Sequence, residues 1–258
     1  MIKLEHVVAG YQGKAVLEDI SLQIPKGCIT SLIGPNGCGK TTLLRVATRQ
    51  LTPQSGRVEI AGKAITEYGR KEFARMAALM PQVRNVPAIT VQGLVMHGRF
   101  PHLGFSRKIR PEDRQMVEQA MEQTGVAQWR HRDLRELSGG ERQRVYIAMA
   151  VAQDTPIIFL DEPTTYLDLG RQFELMELVQ QLNKSGKTIV MVLHDLAQAL
   201  QYSHRVALFS KGRLVALESP DRLFAGGKIE DVFGVKANRD EWGEYYFTRL
   251  PQSIKKEG

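Results

Sequence analysis

The stretch GPNGCGKTT, residues 34–42, constrains this chain more than any other. It sets three glycines and a proline between an apolar run, ITSLI, and a helix-like run, KTTLLRVATRQL. Residues 34–41 fit the pattern G-x-x-x-x-G-K-[ST] in the setting it needs, a buried strand before and a helix after. Glycines let the backbone curl so that successive N–H groups point inward, and such a concave row of amides binds phosphate oxygens. The helix begun near Lys40 adds its positive N-terminal end. Lys40 reaches the β- and γ-phosphates of a nucleotide as a point charge, and the Thr41 hydroxyl suits Mg²⁺. Gly34, Pro35, Asn36, Gly37, Cys38, Gly39, Lys40, Thr41 and Thr42 are therefore candidate nucleotide-binding residues. The competing reading, a strand-to-helix turn with incidental glycines, accounts for neither the Lys-Thr pair nor its setting.

A chain of 258 residues, 43% hydrophobic and 24% charged, can bury a sizeable core as one large domain or two small ones. No apolar run approaches the ~20 residues that cross a bilayer; the longest is TIVMVL. The N-terminal MIKLEHVVAG lacks the apolar core of a signal peptide, so the chain is expected in the cytosol. Two cysteines fit a reducing compartment. Cys28 opens a predicted strand and Cys38 lies beyond its end, roughly 20 Å away at the rise of a strand, too far for a disulfide. Near Lys40 and a helix start, Cys38 is expected to be the more reactive thiol. The net charge of +7 is spread along the chain, without a block of like charges or an aromatic stacking motif. That pattern reads as solvated surface and argues against a nucleic acid partner.

IKLEHVV, LEDISLQI and GRVEIAG alternate apolar with polar residues and predict half-buried strands. ITSLIG, PIIFLDEP and TIVMVLHD are short continuous runs, as in strands covered on both faces. Leu175, Leu178, Val179 and Leu182 mark a helix, and RVALFSKGRLVALE a hairpin turning at Lys211 and Gly212. From about residue 83 to 150 the pattern is mostly helical, with Val117, Ala120, Met121 and Thr124 at helical spacing after Pro111. The expected fold is α/β: one domain over residues 1–258, with a mainly parallel core sheet, an antiparallel β subdomain near the N-terminus and a helical subdomain.

IIFLDEP sets Asp161 and Glu162 at the C-terminal end of a predicted strand, where α/β sheets bind ligands. Beside a phosphate loop, Asp161 can hold Mg²⁺ and Glu162 can polarise an attacking water. Two acids ending a strand are a weak sign alone; the loop earlier in the chain makes them a strong one. LSGGERQR opens a second anion-binding helix start, with Ser138 as N-cap and Gly139 and Gly140 after it. A routine capped helix is the plainer reading, and it leaves open why one nucleotide needs two such sites.

GPNGCGKTT, LSGGERQR, IIFLDEP and LHD, in this order and spacing, resemble the nucleotide-binding subunit of ABC transporters, a P-loop NTPase family, over essentially the whole chain. LSGG between the two Walker motifs is the specific mark. The resemblance implies hydrolysis of ATP with Mg²⁺ by two copies packed head to tail. Each ATP is then held by the phosphate loop of one copy and by Ser138, Gly139 and Gly140 of the other. It implies that Tyr11 stacks on adenine and that Gln82 reaches Mg²⁺ and senses the transmembrane partner. Asp168, in TTYLD, would act across the dimer; Tyr166 stands where the family more often has a small residue. His194 would contact the γ-phosphate and hold the catalytic geometry. Without the resemblance, Tyr11 reads as a turn residue, Gln82 as an exposed loop residue and His194 as a strand-end cap.

HGRFPH, RPED, a later TGV and DEPTTYLDL are similar to the iron–siderophore importers, the ferric-dicitrate type included. Heme, vitamin B12 and zinc or manganese importers have related subunits. The implied partners are a second copy, an integral membrane permease and, through it, a substrate-binding protein, at the cytoplasmic face of the inner (plasma) membrane. Soluble ABC ATPases acting on DNA or ribosomes usually carry two ATPase units or long coiled-coil insertions, which this sequence lacks, and a P-loop kinase has no use for LSGG. Lys40→Ala is expected to weaken ATP binding and abolish hydrolysis, because it removes a charge-assisted contact to phosphate. Near-normal turnover by the purified variant would show that residues 34–42 are not the nucleotide site.

Overall fold

Alternating strands build the first sheet. β1 (Ile2–Tyr11) and β2 (Lys14–Ile24) pair antiparallel and bury Ile2, Leu4, Val7 and Ala9 from one and Leu17, Ile20, Leu22 and Ile24 from the other. β3 (Ile29–Ile33) is buried at all five positions and runs through the phosphate-loop motif into α1 (Lys40–Ala47). β4 (Ser55–Ile60) and β5 (Lys63–Ala64) complete a four-stranded sheet in the order β2-β1-β4-β5. This computed structural model describes residues 1–80, 86–104 and 108–250, so Gln82 lies outside the described residues.

α2 (Arg70–Met76) leads directly into β6 (Ala77–Met80). Three helices follow, α3 (Val91–His97), α4 (Pro111–Gln123) and α5 (Gly139–Ala152), where the helical stretch was expected. β7 (Ile157–Asp161), α6 (Leu169–Lys184), β8 (Thr188–Val192) and α7 (Leu196–Tyr202) alternate next. β9 (Arg205–Ser210) and β10 (Arg213–Glu218) form the expected hairpin. Lys211 and Gly212 both take positive φ, 48° and 78°, as a tight two-residue hairpin turn requires. α8 (Pro220–Ala225), α9 (Lys228–Phe233) and a small hairpin of β11 (Val235–Arg239) and β12 (Tyr245–Arg249) end the described chain.

The central sheet has the order β10-β9-β3-β8-β7-β6 and is parallel except at β10. Its two faces carry separate apolar clusters. Ile33, Ile158 and Met191 pack with Val95, Met121, Val145 and Met176 of the helices. Leu32, Phe159 and Phe209 pack with α1 and with Val7 and Leu17 of the first sheet. Burial on both faces is what a continuous apolar strand needs, since alternation would leave one face wet. Among the described residues, no helix is long and apolar enough to cross a membrane.

Three features depart from the sequence reading. α1 stops at Ala47 rather than at Leu51: Arg49 takes φ 61°, the left-handed conformation that closes helices, and the amides of Gln50 and Leu51 both return to the Arg45 carbonyl. β6 is four residues long and abuts a helix, so it shows no period of its own. β11 and β12 pair with each other through the polar segments VKANR and YYFTR, which carry no clean alternation.

The helical segment is pinned by a buried ion pair. The Asp113 carboxylate has no exposed surface and accepts from Arg99 Nε and from the backbone N and Nε of Arg110, each at 3.2 Å. Arg99 also donates to the Ala152 carbonyl at the end of α5, at 2.8 Å. Burial pushes the Asp113 carboxyl up, but the bonds from Arg110 and Arg99 outweigh it and hold it below the usual carboxylate range. A lowered folded-state pKa stabilises above the unfolded pKa, and that stabilisation is lost as pH falls through the folded value. Arg99→Met is therefore expected to cost about 3 kcal/mol in urea unfolding at neutral pH. The penalty should shrink as acid protonates Asp113, and a penalty equal at all pH values would contradict this role for the pair.

Candidate nucleotide site

The site forms where β3 ends. β3 lies between β8 and β9, so the loop leaving Ile33 emerges at the C-terminal edge of the central sheet, the ligand-binding edge of α/β folds. Two glycines are obligatory for steric reasons. Gly34 has φ 152°, and a Cβ there would lie 2.3 Å from the Phe209 carbonyl oxygen. Gly39 has φ 106°, and its Cβ would lie 2.5 Å from Leu17 Cδ2. Lys40 is buried, and its Nζ donates to the carbonyls of Gly34 (2.6 Å) and Pro35 (3.1 Å). These bonds hold the loop closed around its own lysine.

A cavity of about 290 Å³ opens at this edge, lined by Val16, Asn36, Gly37, Gly39, Lys40, Thr41, Thr42, Glu162 and His194. The fold thus brings the phosphate-loop residues, Glu162 and His194 together. The Thr41 hydroxyl donates to Asp161 Oδ1 at 3.1 Å. Burial pushes the Asp161 carboxyl above its usual range; the Thr41 bond opposes this, and the neighbouring Glu162 charge adds to it. Two hard oxygen donors this close, one a desolvated carboxylate, suit a small divalent cation.

Glu162 takes φ 54°, a left-handed conformation that costs a non-glycine residue about 1–3 kcal/mol and persists only where the surroundings enforce it. Here, Gln143 Nε2 on α5 donates to the Glu162 carbonyl at 3.0 Å. The carboxylate accepts from His194 Nε2 at 2.8 Å, with the Thr165 hydroxyl 3.5 Å from its other oxygen. The result is a carboxylate aimed into the cavity beside a histidine that orients it, suited to drawing a proton from water.

The remaining residues fall as follows. Tyr11 lies outside the cavity lining, half exposed, and its hydroxyl accepts from Arg45 on α1 at 2.9 Å. Ser138 caps α5 reciprocally with Glu141, and Gly139 and Gly140 form the first turn. None of the three lines the cavity. Asp168 caps α6 through the Arg171 amide at 2.9 Å. Tyr166 has φ 67° and is 76% exposed, so its size strains no packing. Cys38 is buried under the loop with its sulfur 3.7 Å from Lys40 Nζ, while Cys28 is partly exposed. The burial of Cys38 counts against its expected reactivity, because a reactive thiol needs access as well as thiolate character. Val16, Gln143 and Thr165 escaped the sequence reading, although Gln143 stands inside LSGGERQR and Thr165 inside TTYLD, two segments that the motifs had already marked.

A phosphate loop after a central parallel strand, with a paired carboxylate and histidine on neighbouring strand ends, defines a P-loop ATPase. The chain matches the ABC transporter family over residues 17–165 and belongs to it. It is 42% identical over 238 residues to the Iron(3+)-hydroxamate import ATP-binding protein FhuC of Bacillus subtilis (strain 168), covering 92% of this chain and 88% of that protein. It is also 42% identical over 234 residues to the Ferric enterobactin transport ATP-binding protein FepC of Escherichia coli (strain K12), covering 90% and 86%. Among solved structures it resembles an ABC transporter in an inward-facing conformation, with TM-score 0.83, 25% identity and 98% of each chain covered. It also resembles the dimeric bacterial ABC transporter cassette MJ0796, with TM-score 0.76, 27% identity, and 85% and 99% covered. The protein is an ATP-binding ATPase whose hydrolysis is coupled to transport.

Proposed function

We propose that this chain powers an importer of ferric siderophores or ferric citrate. The observation that carries the hydrolytic part is the Glu162–His194 contact, facing Lys40 and Thr41 across one cavity. The iron-chelate part is supported by the iron-hydroxamate and ferric-enterobactin relatives, each 42% identical. Residues 1–258 act as one ATPase unit with the 83–150 stretch as its helical subdomain. Lys40 and the loop amides of residues 34–42 bind the phosphates, and Tyr11 packs on the adenine. Thr41 and Asp161, with Gln82, would hold Mg²⁺, and the bound ion would offset phosphate charge. Glu162 takes a proton from water, and His194 holds it in place and touches the γ-phosphate.

Ser138, Gly139 and Gly140 serve the nucleotide of a second copy, packed head to tail, with Asp168 at the same interface. Their position outside this chain's own cavity supports that reading. The dimer docks on an integral membrane permease at the cytoplasmic face of the inner membrane and is served indirectly by a substrate-binding protein.

Glu162→Gln keeps the shape but cannot take the proton, so hydrolysis is expected to slow about 10²–10⁴-fold while ATP binding survives. Size-exclusion chromatography with ATP and Mg²⁺ should then show a dimer where the wild type runs mainly as monomer. Adding Ser138→Arg should return the variant to monomer, by placing bulk where the second copy's γ-phosphate packs. A monomeric Glu162→Gln protein with ATP bound would contradict the head-to-tail arrangement.

Under iron limitation, deleting the gene should impair uptake of a labelled ferric siderophore or ferric citrate. Normal ferric-chelate uptake with loss of heme, cobalamin or zinc uptake would refute the substrate class and leave the ATPase reading intact.

A further inference from the structure

Two glutamines, Gln172 on α6 and Gln198 on α7, form a path of amides that plays no part in the site described so far. Gln198 stands in the first turn of α7, whose N-cap is Asp195, the residue after His194. Its backbone N–H donates to Asp195 Oδ1 at 3.0 Å. Its side chain is buried, and its Nε2 donates to Gln172 Oε1 on α6 at 2.6 Å. Gln172 in turn donates its Nε2 to the Leu167 carbonyl at 3.0 Å. Leu167 is buried and presses on the start of α5, where a Cβ on Gly140 would lie 2.9 Å from Leu167 Cδ2. One path therefore joins the helix that follows His194, the 164–168 loop and the Ser138–Gly139–Gly140 turn.

The two bonds fix the Gln172 amide, because its oxygen must face Gln198 and its nitrogen Leu167. Among the described residues, Gln198 Oε1 has no hydrogen-bond partner. A buried acceptor left unpaired is costly, and an apolar side chain of similar size would avoid that cost. What Gln198 contributes here is the donation from its nitrogen.

We propose that Gln172 and Gln198 are positioning residues that hold the 164–168 loop and His194 as one unit, so that the surface offered to a second copy and the histidine at Glu162 keep a common geometry. The proposal rests on the reading of Glu162 and His194 as the hydrolytic pair. A small displacement of a positioned group is enough to lower a rate without weakening binding.

The test measures kcat and KM for ATP, with the thermal midpoint, in full-length Gln172→Ala, Gln198→Ala, the double variant and Gln172→Glu, with Glu162→Gln as reference. Each single alanine variant is expected to lose about tenfold in kcat, roughly 1.4 kcal/mol of barrier, with KM changed less than about twofold. The double variant should lose no more than either single one, because groups acting as a unit are not additive. Gln172→Glu is nearly isosteric and still accepts from Gln198, but it cannot donate to Leu167. It should fall with the alanine variants even if those are poorly folded. Normal kcat in folded Gln172→Glu, or losses that multiply in the double variant, would overturn the relay while an inactive Glu162→Gln upheld the site. Normal turnover by Glu162→Gln would overturn the hydrolytic reading and the relay with it.

Discussion

The phosphate loop keeps its shape because β3 is walled in by neighbours on every side. Parallel pairing with β8 and β9 occupies both its edges, and the two apolar clusters cover both its faces. The chain leaving Ile33 must turn sharply at the sheet edge. The Phe209 carbonyl of β9 and the Leu17 side chain of β2 stand where side chains on Gly34 and Gly39 would go. The central sheet and the N-terminal antiparallel sheet thus close on the loop together. Each supplies one of the two close contacts that bound it.

The same crowding shapes the electrostatics. Asp161 is desolvated enough that its carboxyl is pushed up, and Glu162 holds a left-handed backbone conformation. Lys40 is buried against carbonyl oxygens of its own loop. Each arrangement costs stability, and each keeps a charged or reactive group where a phosphate and a cation would relieve it. Strain of this kind survives only on a rigid support. Here the support is a set of five-residue strands buried at every position, together with the Gln143 bond from α5 to the Glu162 carbonyl.

The start of α5 is a complete helix cap with an exposed serine, and it does not line the cavity of its own chain. Its glycines are tied to the 164–168 loop instead. Leu167 packs on Gly140, and Tyr166 lies where a Cβ on Gly139 would meet it at 3.5 Å. A capped helix start set apart from the cavity of its own chain is what the proposed head-to-tail pairing of two copies needs.

Much of this was legible in the sequence because it depends on short-range chemistry. The glycine spacing of residues 34–39, the N-cap at Ser138, the apolar runs of β3, β7 and β8 and the turn at Lys211 and Gly212 each act within a few residues of chain. Their signals are therefore contiguous. The acids at 161–162 were legible for the same reason, since they end a buried strand. Other features depend on contacts between residues far apart in the chain. The pairing of Glu162 with His194, the lining by Val16, the grip of Gln143 and the burial of Cys38 arise only when β2, α5 and the core sheet come together. No local pattern marks them. The left-handed close of α1 and the polar β11–β12 hairpin were likewise decided by tertiary structure, because neither has a periodic signal to read. The sequence by itself determined which segments form the glycine-rich loop, the capped helix start and the acid-ended strand of the candidate site. The tertiary structure decided which side chains meet there, because packing alone sets the distances between residues that the chain keeps apart.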